Sequence, residues 1–145
     1  MKAIWLPSGD QAGAARAFLE GEEPIKAAAA TRDCVKRGLA DGVIVTKQGH
    51  GLPLKNVRLI EAGHPVPDEA GVTATRHVTE LLADARADDT VLCLISGGGS
   101  ALLVQPAGKL TLTDLQQTTQ VLLGAGSTIT QVNTLRRHLS AVKGG

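Results

Sequence analysis

The stretch VLCLISGGGSA, residues 91–101, decides how this chain is read. A short apolar run closed by serine and glycine reads as a buried strand, because a helix needs a longer periodic segment. Gly97, Gly98 and Gly99 then let the backbone approach a ligand and aim several N–H groups the same way. A strand that runs through such a turn into a helix is the building unit of layered α/β sheets. Working outward, residues 43–46 (VIVT) and 57–62 (VRLIEA) are further apolar, β-branched runs, and 3–6 (AIWL) is a weaker one. Helical stretches alternate with these runs. Residues 25–39 are alanine-rich, and residues 68–87 open on Asp68 with Val72, Val78, Leu81 and Leu82 near helical spacing. Residues 114–123 follow a capping box of Thr113 with Gln116 and stop at Gly124, and a last helix spans about 129–139. The alternation predicts an α/β layered sandwich with a mainly parallel sheet. The link between 43–46 and 57–62 is short for a parallel crossover and lacks a helix, which leaves that pair open to an antiparallel arrangement.

Composition narrows the function. The 145 residues carry a formal net charge of +1 and are 43% hydrophobic, yet Trp5 and Phe18 are the whole aromatic complement. Near-neutral charge argues against a dedicated nucleic-acid binder, and scarce aromatics remove stacking platforms. No apolar run approaches the ~18 residues of a membrane span. The opening MKAIWLPSGD has too short an apolar run for a signal peptide. Cys34 and Cys93 make neither a disulfide scaffold nor a zinc site, so a reduced, cytoplasmic protein is the expectation. The 17 glycines suit tight packing and backbone-lined loops.

Three segments carry candidate chemistry. Ser96, Gly97, Gly98, Gly99 and Ser100 form a concave turn suited to phosphate or carboxylate, with a plain flexible turn as the other reading. The turn is not a Walker loop, since no Lys-Ser/Thr follows the glycines. It is not a dinucleotide fingerprint either, since Leu102 stands where the third glycine would be. Leaving the other runs, residues 46–51 (TKQGHG) and 63–69 (GHPVPDE) converge on the same sheet edge if the strands are parallel. His64, set between a strand end and two prolines, is held rigidly as a ligand-touching residue should be; a stiff connector is the other reading. Near the end, Asn133, Arg136, Arg137 and Ser140 share one helical face, with Leu135, Leu139 and Val142 expected to pack inward. Arg136 or Arg137 with Lys143 suits phosphate or carboxylate oxygens, against a solvated basic face. The four histidines show no metal-ligand spacing.

Taken together, IVTKQGHG (44–51), IEAGHPVPDEAG (60–71), LISGGGSALL (94–103) and QVNTLRRHLSAVKGG (131–145) resemble the glycerate 2-kinase family. That family is associated with a MOFRL domain, and some of its bacterial members carry the name hydroxypyruvate reductase or TtuD. The resemblance covers about residues 41–145, with 1–40 matching weakly. It implies ATP-dependent phosphorylation of D-glycerate to 2-phosphoglycerate with Mg²⁺, in a cleft between two unlike α/β domains. It implies that residues 96 to 100 cradle phosphates or nucleotide, and that His64, Asn133, Arg136 and Lys143 line the cleft. The family's catalytic lysine in a G-A-G-K-A-A turn has Lys26 as its candidate match here, with an ordinary exposed helix lysine as the alternative. The chain closes inside the last motif, so the resemblance implies a truncated N-terminal portion without the second domain and with little or no activity of its own. Two readings of another kind stand beside it: an NAD(P)H-dependent hydroxypyruvate reductase, and a non-catalytic anion-binding domain. A small-molecule substrate and no nucleic-acid or membrane partner are expected, with homo-oligomerisation open.

Overall fold

The computed structural model describes residues 2–6, 41–51, 57–87, 89, 91–95 and 98–144. The helix expected at 25–39, with Lys26, lies outside the described residues, as do Ser96 and Gly97.

The apolar runs become strands β1 (Lys2–Leu6), β2 (Asp41–Lys47), β3 (Arg58–Ala62) and β4 (Val91–Ile95). They join in the order β3-β2-β1-β4, and every neighbouring pair is parallel. The antiparallel option for β2 and β3 is thereby excluded, with Val43 opposite Arg58 and Lys47 opposite Ala62. A link of this length can make a parallel connection, because about ten extended residues reach ~33 Å and a five-residue strand needs only about half of that. This register sets Val43, Val45, Ile60 and Ala62 on one face, where α1 (Glu69–Ala83) covers them.

Helix α1 starts at Asp68, whose carboxylate accepts from the Gly71 N–H at 2.9 Å and satisfies an otherwise orphaned donor. It ends at Ala83, with Asp84 as its C-cap, short of the expected residue 87. Gly71, Ala74, Thr75 and Val78 are its buried stripe, at the i, i+3, i+4, i+7 spacing of one helix face. At Gly71 a Cβ would sit 2.8 Å from Val104 Cγ2 and 3.0 Å from the Leu102 carbonyl oxygen, so only glycine admits this close approach. The Thr75 hydroxyl donates to the Gly71 carbonyl at 2.8 Å and accepts from the Val104 N–H at 2.6 Å. A buried hydroxyl thus ties α1 to the segment following β4.

That segment forms one short turn, α2 (Gly99–Leu102), then α3 (Leu112–Gly124) and α4 (Ile129–His138). Leu102 (1% exposed) joins Val43, Val45, Ala74 and Val78 in the core. Each buried leucine or valine of this group contributes ~1.5–3 kcal/mol, and the Ala74 methyl less. The capping box of α3 is Thr111 with Asp114, two residues earlier than the expected Thr113–Gln116 pair. Asp114 receives both the Thr111 N–H (2.8 Å) and its hydroxyl (2.7 Å), which leaves Gln116 free for another task. These bonds hold the Asp114 carboxyl below its usual range. Thr128 and Gln131 box α4 in the same way.

Two expectations about burial fail. The composition of β4 predicts a buried strand, yet Val91 is 42% exposed and Cys93 is exposed. The expected polar face of the last helix also breaks up, because α4 stops at His138. Ser140 leaves the helix, is buried, and bridges antiparallel to Pro106. Leu135 is 41% exposed, while Val132 is the buried apolar anchor of α4. No helix among the described residues is long and apolar enough to cross a membrane.

Candidate functional site

Because all four described strands are parallel, their carboxyl ends share one edge of the sheet, the condition for the polar loops to converge. The order β3-β2-β1-β4 also reverses direction between β1 and β4. In open α/β sheets ligands sit in the crevice outside the carboxyl ends of strands at such a switch point. The glycine turn that follows β4 stands at this point.

Within the turn, Gly98 takes a left-handed conformation (φ 86) that favours glycine. Gly99 is buried, and Ser100 is half-buried on the wall of a cavity. Across the cavity stand Arg136 from α4 and Lys143 from the tail behind it. The bridge between Pro106 and Ser140 places that tail, helped by Ala141 N–H to the Gln105 carbonyl at 2.9 Å and Ala107 N–H to the Leu139 carbonyl at 3.0 Å. The Lys143 ammonium then donates to the Leu103 carbonyl. Burial, with the Arg136 charge adding to it, lowers the Lys143 pKa to about 8. Burial also lowers the pKa of Arg136. Among the described residues neither cation has a carboxylate within ion-pair distance; the ion pair there joins Arg76 to Glu80, with His77 Nδ1 3.2 Å from the same carboxylate.

The proline loop forms the adjoining rim. Arg136 Nη2 donates to the Pro65 carbonyl at 2.6 Å, and Gln116 Nε2 donates to the Pro67 carbonyl at 2.9 Å. Two helices thus clamp residues 65–67, and the His64–Pro65 peptide within the loop is cis. His64 is exposed, but partial desolvation, then the Arg136 and Lys47 charges, hold its pKa below the usual imidazole value. The remaining wall is mixed, with Leu115, Leu122 and Leu139 beside Thr118 and Thr119.

Of the candidate residues, the structure gathers Ser100, Arg136 and Lys143 around one cavity, with Gly98 and Gly99 in the turn beside it and His64 on the loop that Arg136 holds. Asn133 is exposed and does not line the cavity, and Arg137 is exposed as well. Sequence reasoning missed Gln116, which it assigned to a cap, and Lys47, which appeared only as part of a loop. No local signal marks the glutamine's role, since its target lies 49 residues away in the chain.

The fold and site define a parallel α/β domain with a cation-lined cavity at the switch point of its sheet. The chain belongs to the family described as DUF4147, a domain of unknown function, which matches residues 20–145. A glycerate 2-kinase of Pyrococcus horikoshii is 50% identical over 105 residues, covering 72% of this chain and 24% of that protein. A D-glycerate 2-kinase of Thermotoga maritima is 43% identical over 126 residues, 86% of this chain and 30% of that one. An Agrobacterium vitis relative that carries the name putative hydroxypyruvate reductase is 49% identical over 104 residues, 72% of this chain and 24% of its own length. The crystal structure of a Thermotoga maritima glycerate kinase superposes on 99% of this chain and 31% of its own with a TM-score of 0.65 and 38% identity. A Pyrococcus horikoshii crystal structure gives 0.69 and 40%, over 99% of this chain and 29% of that one. The matched part lies in the N-terminal domains of these proteins, and the chain spans between about a quarter and a third of their length.

Proposed function

We propose that this chain is the phosphate- and substrate-holding part of an ATP-dependent glycerate 2-kinase, the enzyme that turns D-glycerate into 2-phosphoglycerate. The observation that carries the reading is the convergence of Arg136 and Lys143 on one cavity with no carboxylate partner among the described residues. Two half-buried like charges repel, so the arrangement becomes favourable when an anion supplies the missing charge. Phosphoryl transfer asks for this kind of positioning and charge neutralisation rather than covalent chemistry. The names of the P. horikoshii and T. maritima relatives support the choice of reaction.

In this reading Arg136 and Lys143 hold phosphate or carboxylate oxygens, and His64 and Asn133 stand at the rim. Residues 96–100 meet the ATP phosphates with backbone N–H groups and the Ser96 and Ser100 hydroxyls. Lys26 is the candidate catalytic lysine by its motif alone, since it lies outside the described residues. Among the described residues no group of three or more His, Cys, Asp or Glu gathers to hold a metal ion. In this reading Mg²⁺ arrives with the ATP phosphates as their counter-ion.

The test has two parts. Inorganic phosphate and ATP should each raise the thermal midpoint of the 145-residue chain, and Arg136→Ala should abolish the shift; a shift unaffected by that substitution would move the site elsewhere. A coupled assay of ADP release from ATP with D-glycerate should show little or no turnover by these 145 residues alone. Hydroxypyruvate with NADH, followed by nicotinamide absorbance, should show no oxidation; steady oxidation proportional to protein would favour the reductase reading.

A further inference from the structure

We infer that Gln116 is a positioning residue of the cavity: by holding the Pro67 carbonyl it fixes the loop of residues 63–67, so that His64 stands beside Arg136 at the rim and meets an anion bound there. For its ligand this rests on the anion-holding role proposed above; the placement of His64 rests on the hydrogen bonds alone.

The loop cannot anchor its own middle. Proline carries no N–H, so the backbones of Pro65 and Pro67 offer only carbonyl acceptors, and the donors must come from elsewhere. The ends are fixed: β3 finishes at the buried Ala62, and Asp68 caps α1 through the Gly71 N–H. Between them the donors come from two helices, Arg136 Nη2 to the Pro65 carbonyl at 2.6 Å and Gln116 Nε2 to the Pro67 carbonyl at 2.9 Å. Pro67 is buried and lines the cavity, whereas His64 and Pro65 are exposed. A tether at Pro67 therefore acts between the cavity wall and the histidine.

The two tethers are not equivalent. Arg136 is itself a cavity cation, and its guanidinium spends an N–H on Pro65. An anion in the cavity competes for that guanidinium, so the bond to Pro65 is the one that binding disturbs. Gln116 is neutral, half-buried and outside the cavity lining, and the Thr111–Asp114 capping box leaves its amide unused at the start of α3. Nothing in its amide draws it to an anion, so Pro67 stays held while Arg136 turns to the ligand. His64 lies where this arrangement puts it: partial desolvation, then the Arg136 and Lys47 charges, hold its pKa below the usual imidazole value. A neutral imidazole carries one N–H, which is a donor for an anion oxygen at the rim.

Variants of the 145-residue chain test this. Gln116→Met keeps the side-chain length and removes the donor, Gln116→Asn stops one methylene short of the carbonyl, and Gln117→Met, at the exposed neighbouring position on α3, is the control. In proton NMR without ligand, the His64 titration midpoint should move up toward the ordinary imidazole value in both Gln116 variants, as the ring leaves the Arg136 charge, and stay in place in Gln117→Met. By isothermal titration, phosphate should bind about three- to tenfold more weakly to the Gln116 variants, the worth of one neutral hydrogen bond. That loss should vanish when His64→Ala is already present, because the effect passes through the ring; a merely structural role would leave it in place. An unchanged His64 midpoint, or an affinity loss of the same size with and without His64, would overturn the inference. A wild-type chain that binds no phosphate, with the His64 midpoint still moving in the Gln116 variants, would overturn the proposed function and leave Gln116 as the residue that places His64.

Discussion

The two ends of the same sheet face treat charge in opposite ways. At the amino end, Arg58 of β3 reaches the His77 ring of α1 at 2.6 Å, and His77 Nδ1 lies 3.2 Å from Glu80, which also meets Arg76. The Glu80 carboxylate supplies a counter-charge to Arg76, the Arg58 guanidinium meets the His77 ring, and the cluster is exposed. At the carboxyl end, Arg136 and Lys143 are more deeply placed, and they find only carbonyl oxygens among the described residues. A paired surface cluster contributes about 0–1 kcal/mol and asks for nothing more. A half-buried cation pair without counter-charge is costly as it stands, and its cost is what a bound anion relieves. The contrast separates a structural cluster from a candidate binding site better than residue type does.

The sharpest way to break the contrast is at the carboxyl end. Arg136→Ala together with Lys143→Ala should weaken phosphate binding by about a hundredfold or more, since each charge-assisted hydrogen bond contributes ~1.5–3 kcal/mol. Isothermal titration would measure this; the repulsion removed with the charges offsets part of the stability lost with the bonds to the Pro65 and Leu103 carbonyls. Thr75→Val probes the core between the two ends. It leaves the buried Val104 N–H without an acceptor and should cost about 1–3 kcal/mol by urea unfolding, with phosphate affinity unchanged.

A smaller effect is expected from pH. Burial lowers Lys143 from 10.5 to about 8, so between those values the unfolded chain binds the proton that the folded chain has lost. Stability from this group therefore rises as pH goes up from about 8, and phosphate affinity falls over the same range as the charge disappears. Lys143→Met should remove both trends. His64, held below its usual pKa, should titrate upward in proton NMR when phosphate is added, because the anion offsets the Arg136 and Lys47 charges. The smallest effect belongs to the amino end: Arg58→Ala should change stability by less than about 1 kcal/mol and leave phosphate binding intact. A large loss of binding there would erase the distinction between the ends.

Much of this is legible in the residues. Short β-branched runs bounded by glycine specify strands, and Asp68 and Thr128 mark helix starts through local hydrogen bonds that need no tertiary partner. The capping box falls at Thr111 rather than Thr113 because both threonines stand within reach of a suitable side chain, and only the packed geometry chooses between them. A polar face through Asn133 and Ser140 requires a helix that continues; the bridge from Pro106 pulls Ser140 off it. Exposure of Val91 and Cys93 is illegible, because an apolar strand does not state whether anything covers it.

By itself, then, the sequence determined element types, the α/β class and the loops rich in chemistry, since these follow from periods and caps within about ten residues. Strand order, the parallel direction of β3 and the meeting of Arg136 and Lys143 with residues Pro65 and Leu103 were decided only in the tertiary structure. Contacts between Pro65 and Arg136 span 71 residues of chain, and such pairings are set by which faces must be buried together, a property of the whole fold and of no local stretch.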